Sequence, residues 1–318
     1  MRISVIIPVH NASTTIKRSV DSFMEQNYAD LEIILIEDHS EDNSFEILKE
    51  LFFLYKDHII IDKSENKGVS AARNKGLSVA TGEIITFCDA DDTTSHHSLQ
   101  YLESFFLKHE DIDMLIGGFN RIIEEDKIKK ISIGFGKETV WSADKTLRHA
   151  LYDFRVMGSV CNKFFRKRII HNFRFDESLS HTEDTHFVVN LLSCHRNAKV
   201  FVCSEPLYNY YLNMSSATNS ADKLFDKKDR LNYDIAMERI LKFPALKAAE
   251  KITVRHGRFT LAADVLLQID ITSAQRRELL NIMRNNWSYY AVVLPWNLKG
   301  DVKRLLMLCR KLFLEKRQ

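Results

Sequence analysis

Short runs of Ile and Val alternate with helix-spaced segments through the first third of the chain. That alternation constrains the fold more than any other feature. Ile3 to Val9 is an apolar run of the kind buried on both faces of a sheet. Thr14 to Gln26 follows, with Ile16, Val20, Phe23 and Met24 at helical spacing. Leu31 to Ile36 reads as a second strand. Asp42 and Asn43 can cap a helix to Tyr55 that carries Phe45, Leu48, Leu51 and Phe52 on one side. Ile59 to Ile61, Glu83 to Phe87 and Met114 to Phe119 read as further strands, with helices over Val69 to Val79 and Ser98 to Leu107. This order predicts an α/β fold: a Rossmann-like, mostly parallel sheet with helices on both faces.

The alternation stops near Arg121. Ile122 to Ile133 has charged residues at its middle and suggests a hairpin or an exposed loop. Thr182 to Leu192 is a helical candidate that opens on Glu183-Asp184. After Asp222 strand signals nearly vanish, and Lys223 to Leu241, Leu246 to Leu267 and Ser273 to Trp287 read as helices. The expected organisation is one half over 1–120, a second over 121–221 and a helical region over 222–318.

Composition narrows the function classes. The formal charge of +2 argues against a nucleic-acid binder that relies on its overall field. The five cysteines are odd in number, and none pair at zinc or redox spacing, which fits a reduced, cytoplasmic compartment. MRISVIIPVH reads as a strand rather than as a signal peptide. No segment reaches the ~18 consecutive apolar residues of a membrane span.

In a parallel α/β sheet, ligands bind outside the carboxyl ends of the strands. The residues there are Pro8-Val9-His10-Asn11, Glu37-Asp38, Asn66-Lys67-Gly68 and Asp89-Ala90-Asp91-Asp92. Three carboxylates in four residues repel one another unless a cation neutralises them, and Mg2+ or Mn2+ takes such oxygens together with substrate phosphates. An isolated DxDD is more often a solvated acidic turn; its place after a strand favours the metal reading. Gly68 permits a tight turn into a helix whose N-terminus favours an anion, and Arg73 can add a charge-assisted bond. A plain N-cap with a surface arginine is the simpler alternative. A carboxylate at Glu37-Asp38 can accept from a nucleobase or a ribose, or can cap the next helix. His10 can stack on a base, although isolated histidines are more often structural.

The stretches SVIIPVHN, ILIEDHSEDNS, NKGVSAARNKGL, ATGEIITFCDADD and TEDTHF, in that order, resemble the family 2 glycosyltransferases, inverting enzymes of the GT-A fold. The resemblance spans residues 3 to about 187 and fades after residue 220. It implies a UDP-sugar donor, bound by 1–120, and Mn2+ or Mg2+. It places Pro8, Val9, His10 and Asp38 around uridine with Arg73 nearby. Asp89 and Asp91 become the DxD pair at ribose, diphosphate and metal, with Asp92 in support. Asp184 becomes the catalytic base with Glu183 beside it, and Asn162-Lys163 an acceptor-side element within 121–221. His10 stands where the family commonly has Tyr. Tyr211 and Asn213 stand near places that usually carry arginines reaching the diphosphate.

The implied reaction is single-displacement transfer of a hexose or N-acetylhexosamine to a saccharide or lipid-linked acceptor, for a bacterial capsule, O-antigen or lipooligosaccharide. Glu183-Asp184 also suits a helix N-terminus electrostatically, and the two roles are compatible. The segment Lys299 to Gln318 has seven basic and two acidic residues, with Val302, Leu305, Leu306, Cys309, Leu312 and Phe313 on one helical face. That pattern suits either an anionic membrane surface, here the cytoplasmic face of an inner membrane, or a packed terminal helix. A nucleotidyltransferase would need a Gly-rich basic loop after the first strand, where this chain has HNAST. Asp91 and Asp184 argue against a non-catalytic nucleotide- or carbohydrate-binding subunit, and the missing arginines near Tyr211 and Asn213 keep that alternative open. The apolar helices over 223–287 could serve a dimer.

Overall fold

The computed structural model describes residues 1–123, 129–151, 156, 159–212, 224–228, 230–268 and 271–293. The chain divides into two compact units, Met1–Asn213 and Met214–Gln318. In the first, β1 (Ile3–Val9), β2 (Leu31–Glu37), β3 (Ile59–Lys63) and β4 (Ile84–Phe87) run parallel in the order β3-β2-β1-β4. They are joined by α1 (Ile16–Met24), α2 (Ser44–Leu54) and α3 (Val69–Val79). Every residue of β2, and all of β1 except half-buried Pro8, is buried. Strands covered on both faces read as unbroken apolar runs, which is why these two were legible. On α2 the expected apolar side is corrected. Leu48 and Leu51 are buried, but Phe45 and Phe52 are 43% and 38% exposed.

The rest of the first unit comprises β5 (Thr93–Thr94), α4 (Ser98–Lys108), β6 (Met114–Ile123), β7 (Lys129–Ile133), β8 (Thr139–Ser142), α5 (Ala143–Ala150), β9 (Lys163–Arg166), α6 (Lys167–Ile170), α7 (Glu183–Cys194) and β10 (Lys199–Leu212). The full order is β3-β2-β1-β4-β9-β6-β10-β5, with β7 on β6 and β8 on β10. β9 enters antiparallel between β4 and β6, and β10 lies parallel to β6. β6 and β7 pair antiparallel; residues 124–128 between them lie outside the described residues. The register of β10 breaks around Pro206, which has no N–H for the ladder. Beyond the break, Tyr208 and Asn209 pair with Thr94 and Thr93. At Gly118 an added Cβ would lie 2.7 Å from the Ser204 carbonyl and 2.9 Å from that of Ile133, so only glycine lets the strands approach there.

The second unit contains α8 (Asn232–Leu241), α9 (Ala248–Gln268) and α10 (Ser273–Val293). Phe259, Ala262, Ala263, Leu266, Leu279 and Ile282 form its core. Arg258 donates to both Asp234 oxygens at 2.6 and 2.7 Å, so this buried charge is paired. The basic segment 299–318 and Asn213 lie outside the described residues. Among the described residues no helix is long and apolar enough to cross a membrane.

Candidate active site

From β1 the chain winds outward to β2 and β3 and then returns to the other side as β4. The crevice of such a sheet opens at the carboxyl ends flanking that reversal. Those ends are Pro8 to Asn11 after β1 and Asp89 to Asp92 after β4.

On the β1–β2 side, exposed His10 donates from Nδ1 to the Asp38 carbonyl at 2.7 Å, and the Asp38 N–H donates to the Val9 carbonyl at 2.8 Å. The Asp38 carboxylate is only 4% exposed, and both its oxygens accept the Gly68 N–H, at 2.9 and 3.0 Å. Its side chain therefore staples the end of β2 to the start of α3. Gly68 sits at φ 124, outside what other residues adopt readily, and that conformation aims its N–H. Asn66 donates to Glu177 at 2.8 Å, and Asn74 donates to Glu177 and to the Phe175 carbonyl, both at 3.0 Å. The NKGVSAARN stretch is thus anchored to the segment before α7.

Arg73 joins the two sides. Its Nη1 donates to Asp184 at 2.6 Å and to Glu183 at 2.8 Å, and its Nη2 donates to Asp89 at 3.1 Å. The side chain is 3% exposed and lies over Phe175, which stacks on Phe187 with centroids 4.0 Å apart. Burial opposes the Arg73 charge, but Asp184, Asp89 and Glu183 outweigh it and keep the guanidinium protonated. Both terminal nitrogens of Arg73 are thus engaged by acids, while its buried Nε has no hydrogen-bond partner among the described residues.

Asp184 occupies the first turn of α7, following Thr182 in a left-handed conformation with φ 64. Such strain in a β-branched residue is costly and clusters at functional sites. The second Asp184 oxygen accepts the Val160 N–H at 3.1 Å. Burial first, then Glu183 and Asp89, push the Asp184 carboxyl up to about 7 against the pull of Arg73. A carboxylate poised near neutrality suits a general base.

The acidic loop divides its labour. Asp89 keeps a side chain 38% exposed. Asp91 is half-buried, and burial first, then Asp89, raise its proton affinity. Ala90 is buried between them. Asp92 is buried at 1% exposure and faces the interior, where it accepts from the Tyr208 hydroxyl and from the Tyr211 N–H at 2.8 Å. Burial, then Asp89, raise its carboxyl to about 8. Asp92 thus fixes the loop to β10 and does not open into the crevice.

Asn162 and Lys163 are also buried. Asn162 donates to the Gly117 carbonyl at 3.1 Å; Lys163 donates to the Ser159 carbonyl at 2.6 Å and to Asn162 at 3.0 Å. Burial lowers the Lys163 amine to about 8. They brace the segment whose Val160 N–H holds Asp184 and present no side chain to an acceptor. Sequence reasoning missed Arg18, Glu177 and Tyr208. The run PLYNYY drew attention to the region of Tyr208, but nothing local pointed to Arg18 or Glu177.

Comparison with known proteins bears on the family and the fold. A family model described as Glycosyl transferase family 2 matches residues 4–173. The minor teichoic acid biosynthesis protein GgaB of Bacillus subtilis (strain 168) is 29% identical over 212 residues, 65% of this chain and 22% of that protein. This chain therefore spans about a fifth of that relative's length. The uncharacterized glycosyltransferase YibD of Escherichia coli (strain K12) is 29% identical over 272 residues, 80% of this chain and 74% of its own. The crystal structure of S. aureus TarS 1-349 in complex with UDP-GlcNAc matches with a TM-score of 0.69 at 18% identity, covering 91% of this chain and 82% of that one. At that identity the likeness speaks for the fold, which is GT-A. With the family pattern running through β1 to β4 and over more than half of the 318 residues, the chain belongs to glycosyl transferase family 2.

Proposed function

We propose that this protein moves a hexose or N-acetylhexosamine, with inversion, from a UDP-sugar to a hydroxyl of a saccharide or lipid-linked acceptor in bacterial surface polysaccharide synthesis. The observation that carries the proposal is the guanidinium of Arg73, shared at 2.6 to 3.1 Å between Asp184 and Asp89. It ties a base candidate with a near-neutral carboxyl to the acidic loop at the switch point. The UDP-GlcNAc bound by S. aureus TarS and the teichoic acid role in the name of GgaB support the donor class and the setting.

In this reading residues 1–120 hold the donor, 121–221 receive the acceptor, and 222–318 form the helical region. The end of β1, from Pro8 to His10, lines the nucleoside side. Asp184 takes the proton of the acceptor hydroxyl as its oxygen bonds to the anomeric carbon. The bond to the diphosphate breaks on the opposite face, so an α-linked donor gives a β-linkage. Asp89 and Asp91 fit a divalent cation. The Asp89 side chain is 38% exposed, and half-buried Asp91 has a proton affinity raised first by burial, then by Asp89. Among the described residues no group of three or more His, Cys, Asp or Glu is placed to hold a metal ion by itself, so a cation at Asp89 and Asp91 would need donor phosphates to complete its coordination. Bound there, the ion would offset the charge of the departing diphosphate as a Lewis acid. The basic segment 299–318 suits peripheral contact with the cytoplasmic face of the membrane.

The test is a panel of UDP-sugars with Mn2+. Asp184→Asn should bind UDP normally and lose transfer by about 100- to 10,000-fold, whereas Asp91→Ala should lose the Mn2+-dependent part of UDP binding. Near-normal turnover in the first variant moves the base elsewhere, and Mn2+-dependent binding in the second removes Asp91 from the metal site.

A further inference from the structure

Lys163, the first residue of β9, is fully buried. A buried ammonium is costly, and a brace alone needs no charge. The backbone there is already pinned. The Lys163 N–H donates to the Val160 carbonyl at 3.1 Å, and the Lys163 carbonyl accepts the Thr86 hydroxyl at 2.9 Å. β4 and β6 flank the strand on either side. The amine adds nothing to that ladder.

Its Nζ donates to the Ser159 carbonyl at 2.6 Å and to the Asn162 side chain at 3.0 Å. The Ser159 carbonyl and the Val160 N–H belong to one peptide group. That N–H donates to one Asp184 oxygen at 3.1 Å, while Arg73 holds the other at 2.6 Å. A trans peptide is planar and points its C=O and N–H in opposite directions. Ammonium, peptide group and carboxylate thus form one series. The negative end of the peptide dipole meets the cation, and its positive end meets the base. Hydrogen bonds linked in this way polarise and strengthen one another at low dielectric.

Asp184 is faced by Arg73 of α3, by Glu183 on its own helix and by Asp89 after β4. Burial lowers the Lys163 amine to about 8 against the pull of Asp184 and then of Cys161, so the amine is charged at neutral pH. Burial keeps the Cys161 thiol neutral, which leaves Asp184 as the anion coupled to Lys163. Such coupling is reciprocal: an anion that favours the charged amine is favoured by it.

We propose that Lys163 is a positioning residue for the base, acting through the Ser159–Val160 peptide group to fix one oxygen of Asp184 and to favour its charged form. This deepens the reading of Asp184 as the base and rests on it.

The experiment uses the full chain with Mn2+ and the UDP-sugar that the panel identifies. It records kcat/KM for UDP release against pH, and UDP affinity by calorimetry. Lys163→Met keeps an unbranched stem and removes the charge. Its acid limb should move up by about one pH unit, so that kcat/KM falls about 10-fold at about pH 6 and meets the unsubstituted value at about pH 9. UDP affinity should not change. Lys163→Gln, a neutral side chain that keeps a donor, should move the limb in the same direction, and it decides the matter where the Met variant does not fold. A limb that stays in place, with kcat/KM lowered equally at every pH, overturns the inference, because it marks Lys163 as a brace alone. A parallel loss of UDP affinity also overturns it. Normal UDP release by Asp184→Asn overturns the base reading and this inference with it. A limb unmoved at Lys163, in an enzyme that Asp184→Asn inactivates, overturns this inference alone.

Discussion

Replacing Arg73 with Met isolates the charge that joins the two sides of the site. Methionine keeps an unbranched apolar stem over Phe175 but removes the donors to Asp89, Glu183 and Asp184. Removing one partner of a buried ion pair costs about 3–5 kcal/mol, because the other partner is left as an uncompensated charge. Here three carboxylates lose the same cation, and two of them are 12% and 13% exposed. The pH dependence gives the sign. Asp184 is already raised from 3.8 to about 7 in the folded protein. The folded state therefore binds a proton that the unfolded chain releases between those values, and stability falls as pH rises through that window. Without Arg73 the proton affinity of Asp184 rises further. Urea unfolding at about pH 8 should show most of the 3–5 kcal/mol loss, and at about pH 5 less of it, because Asp184 is then neutral in the folded state. A loss of the same size at both pH values would show that packing, not charge, explains the buried arginine.

Two further outcomes can be measured directly. Gly68→Ala should destabilise by about 1–3 kcal/mol from backbone strain alone, since φ is 124 and nothing lies within 4 Å of the added Cβ; unchanged urea midpoints would show that the Asp38 staple does not need this conformation. Removing residues 299–318, with their seven basic and two acidic side chains, should reduce sedimentation with anionic liposomes while sparing UDP binding; undiminished sedimentation would place any membrane contact elsewhere.

The first four strands were legible because each is a local, continuous apolar run, and the chemistry of an α/β sheet lies at strand ends that such runs locate. β9 was not legible as a strand. It is four residues long and is sheltered between β4 and β6, which lie far from it in sequence. The two-residue β5 exists only because the far end of β10, beyond the Pro206 irregularity, comes alongside it. On α2, aromatic residues on both sides made the spacing ambiguous, and packing buried only one side. The site shows the same limit. Asp89, Asp91 and Asp184 could be picked out by residue type and position, but the cation that joins Asp89 to Asp184 lies 16 and 111 residues from them along the chain. Asn162 and Lys163 were noticed as a pair, yet pattern alone could not show that both side chains are covered. Tyr211 was marked only because it stands near places where arginines were expected; the guanidinium 3.8 Å from its ring centroid belongs to α1, far from it in sequence.

The state of Asp184 follows from the same arrangement and reaches the reaction through pH. A base must be ionised to accept the hydroxyl proton, and the carboxyl titrates near 7 in the free protein, the form reported by kcat/KM. The activity should therefore rise with pH through about 7 rather than through the ordinary carboxylate range. Glu183 shares Nη1 of Arg73 with Asp184, and its negative charge is one cause of the upward displacement. In Glu183→Gln that charge is gone and the guanidinium favours Asp184 more strongly. The acid limb of kcat/KM should then move to lower pH, even if the maximum rate falls. A limb already complete by about pH 5 in the unsubstituted enzyme would mean that the base is a solvated carboxylate elsewhere. A limb near 7 that stays fixed in Glu183→Gln would mean that the titrating group is not in contact with Arg73.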